Sequence, residues 1–445
     1  MTDQEFLRQI LSFREWQTFE CKRAQAKPSK VLEAIVVFTN KDGGLIVLGL
    51  EDPDKAEGEN RLKEDHLLLI FVEKSNDVHS LKNGDTFVRN GARNDKIGSA
   101  QIIRLKYEKG VIKYEGEPSG VGHLEDLDRS LLERFKKEAG SQATDEWQFL
   151  KDNGLALQRQ DKWELTKGGV LLFSKNPSVT LGSKCGIKVT HYLGTKPAFT
   201  ENPNFLRRPF SIEGPLLEQI TRTIDYFREA VRFSPPKLTG ATFKPTLLIP
   251  EWVFQEAVTN AVIHRDYSLQ DDVHVRFFDD RIEIESPGTY PGHMTVANIR
   301  TERFARNPLI LRTLNRFVEA PNLDHGEGVD RMFSIMRSSN LYEPIYFPPN
   351  MRPHSVLLLL FNLQRIEYWD TVSQYLDKFV SISNQEARKI TGIHDTIKMS
   401  RLLKLWVKQG VLEKQETGSK KMTLYSKTGN KPTIPFIFMG VDNKK

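Results

Sequence analysis

Apolar residues recur at helical spacing through residues 5–12 and 28–40 and then give way to a continuous run, Leu45 to Leu50. The first pattern predicts two helices and the second a buried strand. Residues 67–73, 86–90, 100–107 and 111–114 alternate or are apolar, which predicts strands. A charged helix is expected from Leu127 to Ala139. Between Trp147 and Pro177 the pattern predicts a helical turn ending at Gly154, a short wing-like hairpin and an apolar segment that leads into a sheet. Val189 to Leu193 is expected as a strand. Leu216 to Phe233 places Ile220, Ile224 and Phe227 on one face, so it predicts an amphipathic helix. Pro250 opens another helix, and Val273–Phe278 and Arg281–Gly288 follow it. The longest apolar run, Val356 to Phe361, is far too short to span a bilayer and predicts a buried strand.

The last part of the chain has a different rhythm. A helix is expected from Thr371 to Phe379. Ser383 with Glu386 three residues on forms a capping box, and Gly392 closes the helix it opens. Asp395 or Thr396 then caps a longer helix, Ile397 to Gln409, followed by an apolar strand, a turn at 417–421 and a strand from Met422 to Tyr425. Helix, turn, helix and hairpin in this order predict a winged helix-turn-helix.

Polar or Pro/Gly-rich stretches punctuate these segments at 51–66, 117–122, 235–245 and 348–353. They divide the chain into 1–122, 123–245, 246–365 and 366–430, with a tail at 431–445. The fold class expected is α+β and multidomain: an N-terminal α+β domain, a central α/β sandwich and a C-terminal winged helix-turn-helix.

Charge changes this picture modestly. Lysine and arginine number 64 against 58 acidic residues, a net charge of +6 with an isoelectric point near 9.0. The excess leans toward a polyanionic partner, RNA or DNA. The two cysteines, Cys21 and Cys185, are far apart and outside any metal-ligand spacing, which predicts a reduced, cytoplasmic setting. The polar N-terminus does not resemble a signal peptide, and no membrane association is expected. The sequence has no histidine pair at metal spacing, no nucleophilic serine or cysteine signature and no Gly-Lys-Ser/Thr phosphate loop.

Two blocks carry candidate chemistry. The first is Glu15-Trp-Gln-Thr-Phe-Glu20-Cys-Lys22, with Glu51-Asp52 at the end of the following strand. Like-charged carboxylates gathered together either share protons or hold a cation. Glu20 and Lys22 alternate along an extended segment and so face the same way. Lys22 could then offset phosphate charge beside a metal ion. The alternative is a solvated charge cluster that pairs with Arg23. The second block runs from Pro250 to Tyr267. Glu256 and Asn260, four residues apart, project from one face of a helix. A carboxylate able to act as a base, one turn from an amide oxygen able to bind Mg²⁺, suits ATP chemistry. In the C-terminal unit Lys398, Arg401, Lys404 and Lys408 recur at helical spacing opposite Leu402, Leu403 and Trp406, and Lys420 and Lys421 lie on the wing. That pattern suits contact with nucleic-acid phosphates.

The first block, together with Phe38-Thr-Asn40, Gly43-Gly44, Gly49-Leu-Glu-Asp52 and Phe87-Val-Arg89-Asn-Gly91, resembles the Schlafen AlbA-like domain, also called divergent AAA-4. The resemblance implies a metal site at Glu15, Glu20 and Asp52, with Glu51 as the alternative to Asp52. It also implies a nucleic-acid face near Arg89 and, as in some Schlafen proteins, metal-dependent ribonuclease activity with Mg²⁺ or Mn²⁺. The second block is similar to the N-box of GHKL-type ATP-binding domains in the variant found in RecG-related proteins. That resemblance extends through Arg281 to Gly288, Phe304-Ala-Arg-Asn307-Pro308 and His325-Gly326-Glu-Gly328. It implies Glu256 as the base that activates water, Asn260 as the Mg²⁺ ligand, Gly288 in the nucleotide-binding turn, and Gly326 and Gly328 as lid glycines that approach the phosphates. The usual adenine-binding aspartate is missing: Ser286 stands near its place, and Tyr290 falls where the second glycine of that turn would be. His264, Asp266 and Tyr267 are expected to brace the end of the helix.

The reading that follows is a nucleic-acid-acting regulator, homo-oligomeric, with metal-dependent nuclease potential gated by ATP and a setting such as antiviral defence. Its rivals are a non-enzymatic, ATP-responsive DNA-binding transcriptional regulator and a plain ATPase module.

Overall fold

The computed structural model describes residues 3–427 except 52–54, 57, 63–65, 161, 234–236, 240–241, 245–246, 322–325, 350, 366–367, 409–410 and 416–422. The chain is mixed α+β and divides into two compact units, Met1–Leu363 and Gln364–Lys445.

The first unit opens with α1 (Asp3–Ser12), β1 (Phe19–Lys22), α2 (Pro28–Asn40), β2 (Gly44–Leu48) and β3 (Leu68–Val72). β2 is central, parallel to β1 and antiparallel to β3. α2 starts on Pro28, where a missing N–H matters least, and buries Ala34, Val37 and Phe38 against Ile46 and Val72. A hairpin follows, β4 (Thr86–Asn90) with β5 (Arg93–Ile97), and then α3 (Ser99–Lys109).

α3 corrects the strand expected over residues 100–107. Its buried positions Leu105 and Lys109 are four apart, a helical period. Gln101 accepts the Gly98 N–H at 3.1 Å to start the helix, and Gly110, at φ +73°, ends it. Residues 111–114 are not a strand either. The N–H groups of Val111 and Ile112 turn back onto the Lys106 carbonyl at 2.9 and 3.3 Å, so they close the helix rather than pair in a sheet.

Next come α4 (Arg129–Glu138), α5 (Glu146–Asp152), the hairpin β6 (Ala156–Arg159) and β7 (Lys162–Leu165), α6 (Lys167–Phe173) and α7 (Pro177–Thr180). Asp128, Asp145 and Thr166 cap α4, α5 and α6 through side-chain oxygens. The central body contains β8 (Ile187–Tyr192), β9 (Phe205–Ile212), α8 (Leu216–Phe233), β10 (Lys237–Thr239), β11 (Thr242–Lys244), α9 (Glu251–Ile263), β12 (Val273–Phe277) and β13 (Arg281–Pro287). It ends with α10 (Pro308–Leu314), α11 (Gly328–Ser338), β14 (Ile345–Tyr346) and β15 (Ser355–Phe361).

Six of these strands form one sheet in the order β14-β15-β13-β12-β8-β9, with only β12 and β8 parallel. α8 and α9 lie on one face: Phe227 stacks on Phe254 at 4.4 Å, and Phe254 reaches Phe277 of the sheet at 5.8 Å. β15 is apolar from Val356 to Phe361, and both of its faces are covered there. Leu358 and Leu360 join the main core, while Leu357, Leu359 and Phe361 pack with Phe347 on the other side.

The second unit contains α12 (Trp369–Lys378), β16 (Ile382–Ser383), α13 (Asn384–Thr391), α14 (Thr396–Lys408), β17 (Leu412–Gln415) and β18 (Leu424–Lys427). The strands form a small antiparallel sheet in the order β16-β18-β17. The capping box forms: Ser383 N donates to Glu386 Oε2 at 2.7 Å, and Ser383 Oγ accepts the Glu386 N–H at 3.3 Å. Met399, Leu403 and Trp406 of α14 fill the core, with Trp406 edge-on to Trp369. Among the described residues no helix is long and apolar enough to cross a membrane.

Candidate functional site

A cavity of about 420 Å³ opens between α9, β13, the loop 288–307 that joins β13 to α10, and the N-terminal end of α11. That size lies in the range of small-molecule sites, roughly 300–1,000 Å³. α9 is apolar on most of its surface and therefore buried. Two of its polar residues, Glu256 and Asn260, line the cavity one helical turn apart. Asn260 Nδ2 donates to Glu256 Oε1 at 3.0 Å. Burial raises the Glu256 pKa, and the Asn260 amide and Arg331 pull it part of the way back.

The turn before α11 packs closely over this pair. A Cβ at Gly328 would overlap the Glu256 carboxylate, and a Cβ at Gly326, whose φ is +65°, would overlap the Arg303 side chain. Glycine is favoured at 326 by its positive φ and by the Arg303 side chain beside it, while at 328 a side chain would have to displace the Glu256 carboxylate. Arg331 lies over the Trp252 ring at 4.7 Å, so Arg303 and Arg331 bring two guanidinium groups to the cavity beside the glycine turn. Neither arginine, nor Trp252, is among the residues that the sequence singles out. The only available signal is that Arg303 adjoins the Phe304-Ala-Arg-Asn307 block, and that Arg331 follows Gly328 by three residues, close to one turn.

The other end of α9 closes the cavity with groups that mostly brace one another. His264 caps α9 and presents part of its ring to the cavity. Burial, aided by Arg306, lowers its pKa to about 4, so the ring is neutral at pH 7. Ser286 Oγ donates to the Ala261 carbonyl at 2.7 Å and Tyr290 Oη to the Phe347 carbonyl at 2.8 Å. Asp266 and Arg306 form a buried ion pair at 2.9 Å. Gly288, at φ +117°, sits directly on that pair, and a Cβ there would come within 2.8 Å of Asp266 and 2.9 Å of Arg306. Tyr267 Oη donates to the Val262 carbonyl at 3.0 Å, and Asn307 Nδ2 donates to the carbonyls of Ile263 and Arg265 at 2.8 Å each.

The N-terminal candidates are arranged differently. Glu20 is 2% exposed and is held between Lys22 and Arg89, whose Nη1 lies 2.6 Å away. Glu15 Oε1 accepts the Cys21 N–H at 3.1 Å and lies 3.5 Å from Cys21 Sγ. Because Glu20 and Cys21 are consecutive in β1, their side chains leave the strand on opposite faces. Glu15 is bonded to Cys21, whereas Glu20 is bonded to Lys22 and Arg89. Glu51 pairs with Arg23 at 2.5 Å, and Asp52 lies outside the described residues. Among the described residues no group of three or more His, Cys, Asp or Glu side chains is placed to hold a metal ion. Arg89 is interior, donating also to Asn94 Oδ1 at 2.6 Å and to the carbonyls of Trp16 and Phe19.

In the second unit, Lys398, Arg401 and Lys404 are exposed along α14, and Lys420 and Lys421 lie outside the described residues. Ile397 and Leu405 are exposed on the same helix.

Residues 270–352 match the model of a family described as "Putative ATP-dependent DNA helicase recG C-terminal". The matched stretch carries β12, β13, the loop over the cavity, Gly288, Gly326 and Gly328, while Glu256 and Asn260 lie just before it. Comparison with curated proteins finds no match. Among solved structures, the chain is similar to the crystal structure of the DIP2311 protein from Corynebacterium diphtheriae, at 16% identity over 92% of each chain, with a TM-score of 0.43.

Proposed function

We propose that this protein is a nucleotide-binding regulator whose central cavity takes ATP together with Mg²⁺, and that its C-terminal unit contacts nucleic acid. The observation that carries the first part is the junction of Glu256 and Asn260 with the Gly326–Gly328 turn. That junction combines a side-chain oxygen suited to Mg²⁺, the N-terminus of α11 and a glycine turn packed directly against the Glu256 carboxylate. Backbone N–H groups at a helix N-terminus favour phosphate, and Arg303 and Arg331 add positive charge beside it. The match of residues 270–352 to the RecG-related family supports the same reading.

In this reading the phosphates lie at the glycine turn. The Asn260 amide oxygen would hold the metal, which would neutralise phosphate charge. Glu256 orients Asn260 and is the residue positioned to hold a proton. Eight residues along α9, about 12 Å by helical rise, separate Glu256 from His264. The cavity between them is lined by Ile284, Met294, Tyr346 and Leu358, an apolar chamber for a base. The hydrogens of the Ser286 and Tyr290 hydroxyls are committed within the protein, which leaves the unpartnered Nδ1 of His264 as a polar contact for the base and puts most of the affinity at the phosphate end. Glu256 is locked to Asn260 and pressed against Gly328, which favours ATP as a bound ligand over rapid turnover.

Nucleic-acid contact rests on the basic face of α14 and on the order of elements in the second unit, which is that of a winged helix. Nuclease chemistry at the N-terminus is left out of this reading, because Glu20 is held by Lys22 and Arg89, Glu15 by Cys21 and Glu51 by Arg23.

Isothermal titration of the full chain with Mg-ATP tests the main claim. A saturable heat that disappears with EDTA and is matched by quenching of tryptophan fluorescence is expected, since Trp252 lines the cavity. No binding at millimolar Mg-ATP would overturn it.

A further inference from the structure

The loop 288–307 has two sides. One faces the cavity through Tyr290, Met294, Phe304 and Ala305. The other is gripped by side chains from the N-terminal region. Lys74 Nζ donates to the Tyr290 carbonyl at 2.5 Å and to the Met294 carbonyl at 3.3 Å. Lys113 Nζ donates to the carbonyls of Ala305 and Arg306 at 3.3 Å each and lies 5.2 Å from the centre of the Phe304 ring. Asn76 Oδ1 is 2.9 Å from His293 Nδ1, and a Cβ at Gly292 would come within 2.6 Å of both Asn76 and Phe304.

The gripping segment is itself anchored. Lys109, 3% exposed, donates to the Ser75 carbonyl at 2.5 Å and to the Thr39 carbonyl of α2 at 2.9 Å. Asn40 extends the network. Its Nδ2 donates to the carbonyls of His79 and Phe87 at 2.9 Å each, and its Oδ1 accepts the His79 N–H at 2.8 Å. The cavity wall, residues 73–79, the end of α2 and β4 are therefore joined by hydrogen bonds, several from an ammonium group, which are among the stronger kind.

We propose that loop 288–307 transmits occupancy of the cavity to the N-terminal region, with Lys74 and Lys113 as the coupling residues and residues 73–79 as the receiving segment. The proposal rests on the nucleotide reading above. A ligand that presses on Tyr290, Met294 or Phe304 moves backbone carbonyls that the lysines hold. The loop cannot shift without releasing those bonds or carrying residues 73–79 with it. Coupling of this kind is reciprocal: whatever the ligand does to the N-terminal region, loosening that region does to ligand affinity. In the structure the lysines hold the loop in its wall position. Removing them leaves ordering to be done when the ligand binds, so affinity falls.

Hydrogen–deuterium exchange of the full chain, with and without Mg-ATP, tests this together with calorimetric Kd values. In the wild type, Mg-ATP is expected to slow exchange at 326–331, across 288–307 and also at 73–79. Lys74→Met is expected to keep the first protection, lose the last and raise Kd about 5-fold or more, the lower end of usual coupling strengths. Asn76→Ala, at an exposed residue, is expected to change both readouts in the same direction and keeps the test open if Lys74→Met misfolds. Protection confined to 288–331, with Kd unchanged in both variants, overturns the coupling and leaves nucleotide binding standing. Absence of protection at 326–331 in the wild type removes the nucleotide reading and the coupling with it.

Discussion

The sharpest test of the cavity is Gly328→Ala. The backbone at 328 is the first position of α11 and has no positive φ, so alanine is conformationally acceptable there. Alanine is favoured over glycine in helices by about 1 kcal/mol. The added methyl, however, falls on the Glu256 carboxylate. Glu256 must rotate away, and its 3.0 Å bond from Asn260 is lost, which costs about 0.5–1.5 kcal/mol for an ordinary hydrogen bond. The two terms nearly cancel, so the melting temperature should move by only a few degrees. Binding should not be spared. The methyl and the carboxylate it displaces both crowd the turn where the phosphates are placed, and a hydrogen bond to a charged group is worth about 1.5–3 kcal/mol. Affinity for Mg-ATP should fall roughly 10- to 150-fold, at 1.4 kcal/mol per decade. Calorimetric titration and a thermal melt on the same sample give both numbers. A variant that binds Mg-ATP as tightly as the wild type, at an unchanged melting temperature, would refute the placement of phosphate at the 326–328 turn.

Three further outcomes are expected. Glu20→Gln leaves the interior Arg89 without its carboxylate, and breaking a buried pair in this way costs about 3–5 kcal/mol; a denaturant melt should show the loss, whereas an unchanged midpoint would make Glu20 a free carboxylate, available for chemistry. Burial lowers the Lys109 pKa to about 7, so between that pH and its ordinary value the unfolded chain binds more protons than the folded one. Stability should therefore rise with pH across that window, by at most about 1.4 kcal/mol per pH unit from this group, and the wild-type minus Lys109→Met difference should carry that slope; a flat difference contradicts it. Replacing Lys398, Arg401 and Lys404 together with alanine should weaken duplex DNA binding and lower the salt slope by about 0.9 for each phosphate no longer neutralised. Equal slopes in fluorescence anisotropy titrations would show that this face of α14 does not touch the backbone.

Much of the element pattern was legible because the period of the apolar residues and the caps agreed. Ser383 with Glu386 marks the start of α13, Pro250 the start of α9, and the apolar stretch 356–361 a strand covered on both faces. The error at 100–107 has a physical cause. Over so short a stretch, adjacent isoleucines suit either period, and the deciding information lay in its flanks, Gly98 with Gln101 and Gly110. At the cavity, the helical spacing of Glu256 and Asn260 was readable. The arginines at 303 and 331 were not, since their place beside the glycine turn depends on how α11 and the loop 288–307 return to α9. Arg89 shows the opposite limit. A basic residue in a motif carries no mark of whether it meets solvent, and this one is consumed by Glu20 and two carbonyls.

The charged and polar residues of the block His264-Arg-Asp-Tyr267 make the same point at the centre of the molecule. Arg265 donates to the Lys184 and Leu269 carbonyls, Asp266 pairs with Arg306, and Tyr267 returns to the Val262 carbonyl. Arg265 ties the end of α9 to the segment at Lys184, Asp266 ties it to Arg306 in the loop before α10, and Tyr267 turns back onto α9 itself; an interior polar group held in this way fixes geometry because leaving it unpaired costs so much. The Asp266–Arg306 pair also sits under Gly288, so the turn that follows β13 is anchored to the helix that carries Glu256 and Asn260. What distinguishes the residues available to a ligand is therefore where their polar atoms are already satisfied, rather than residue type. By that criterion the glycine turn, Asn260, Arg303, Arg331 and the buried Nδ1 of His264 remain open to one. Arg265, Asp266 and Tyr267 instead hold the wall against which such a ligand would press.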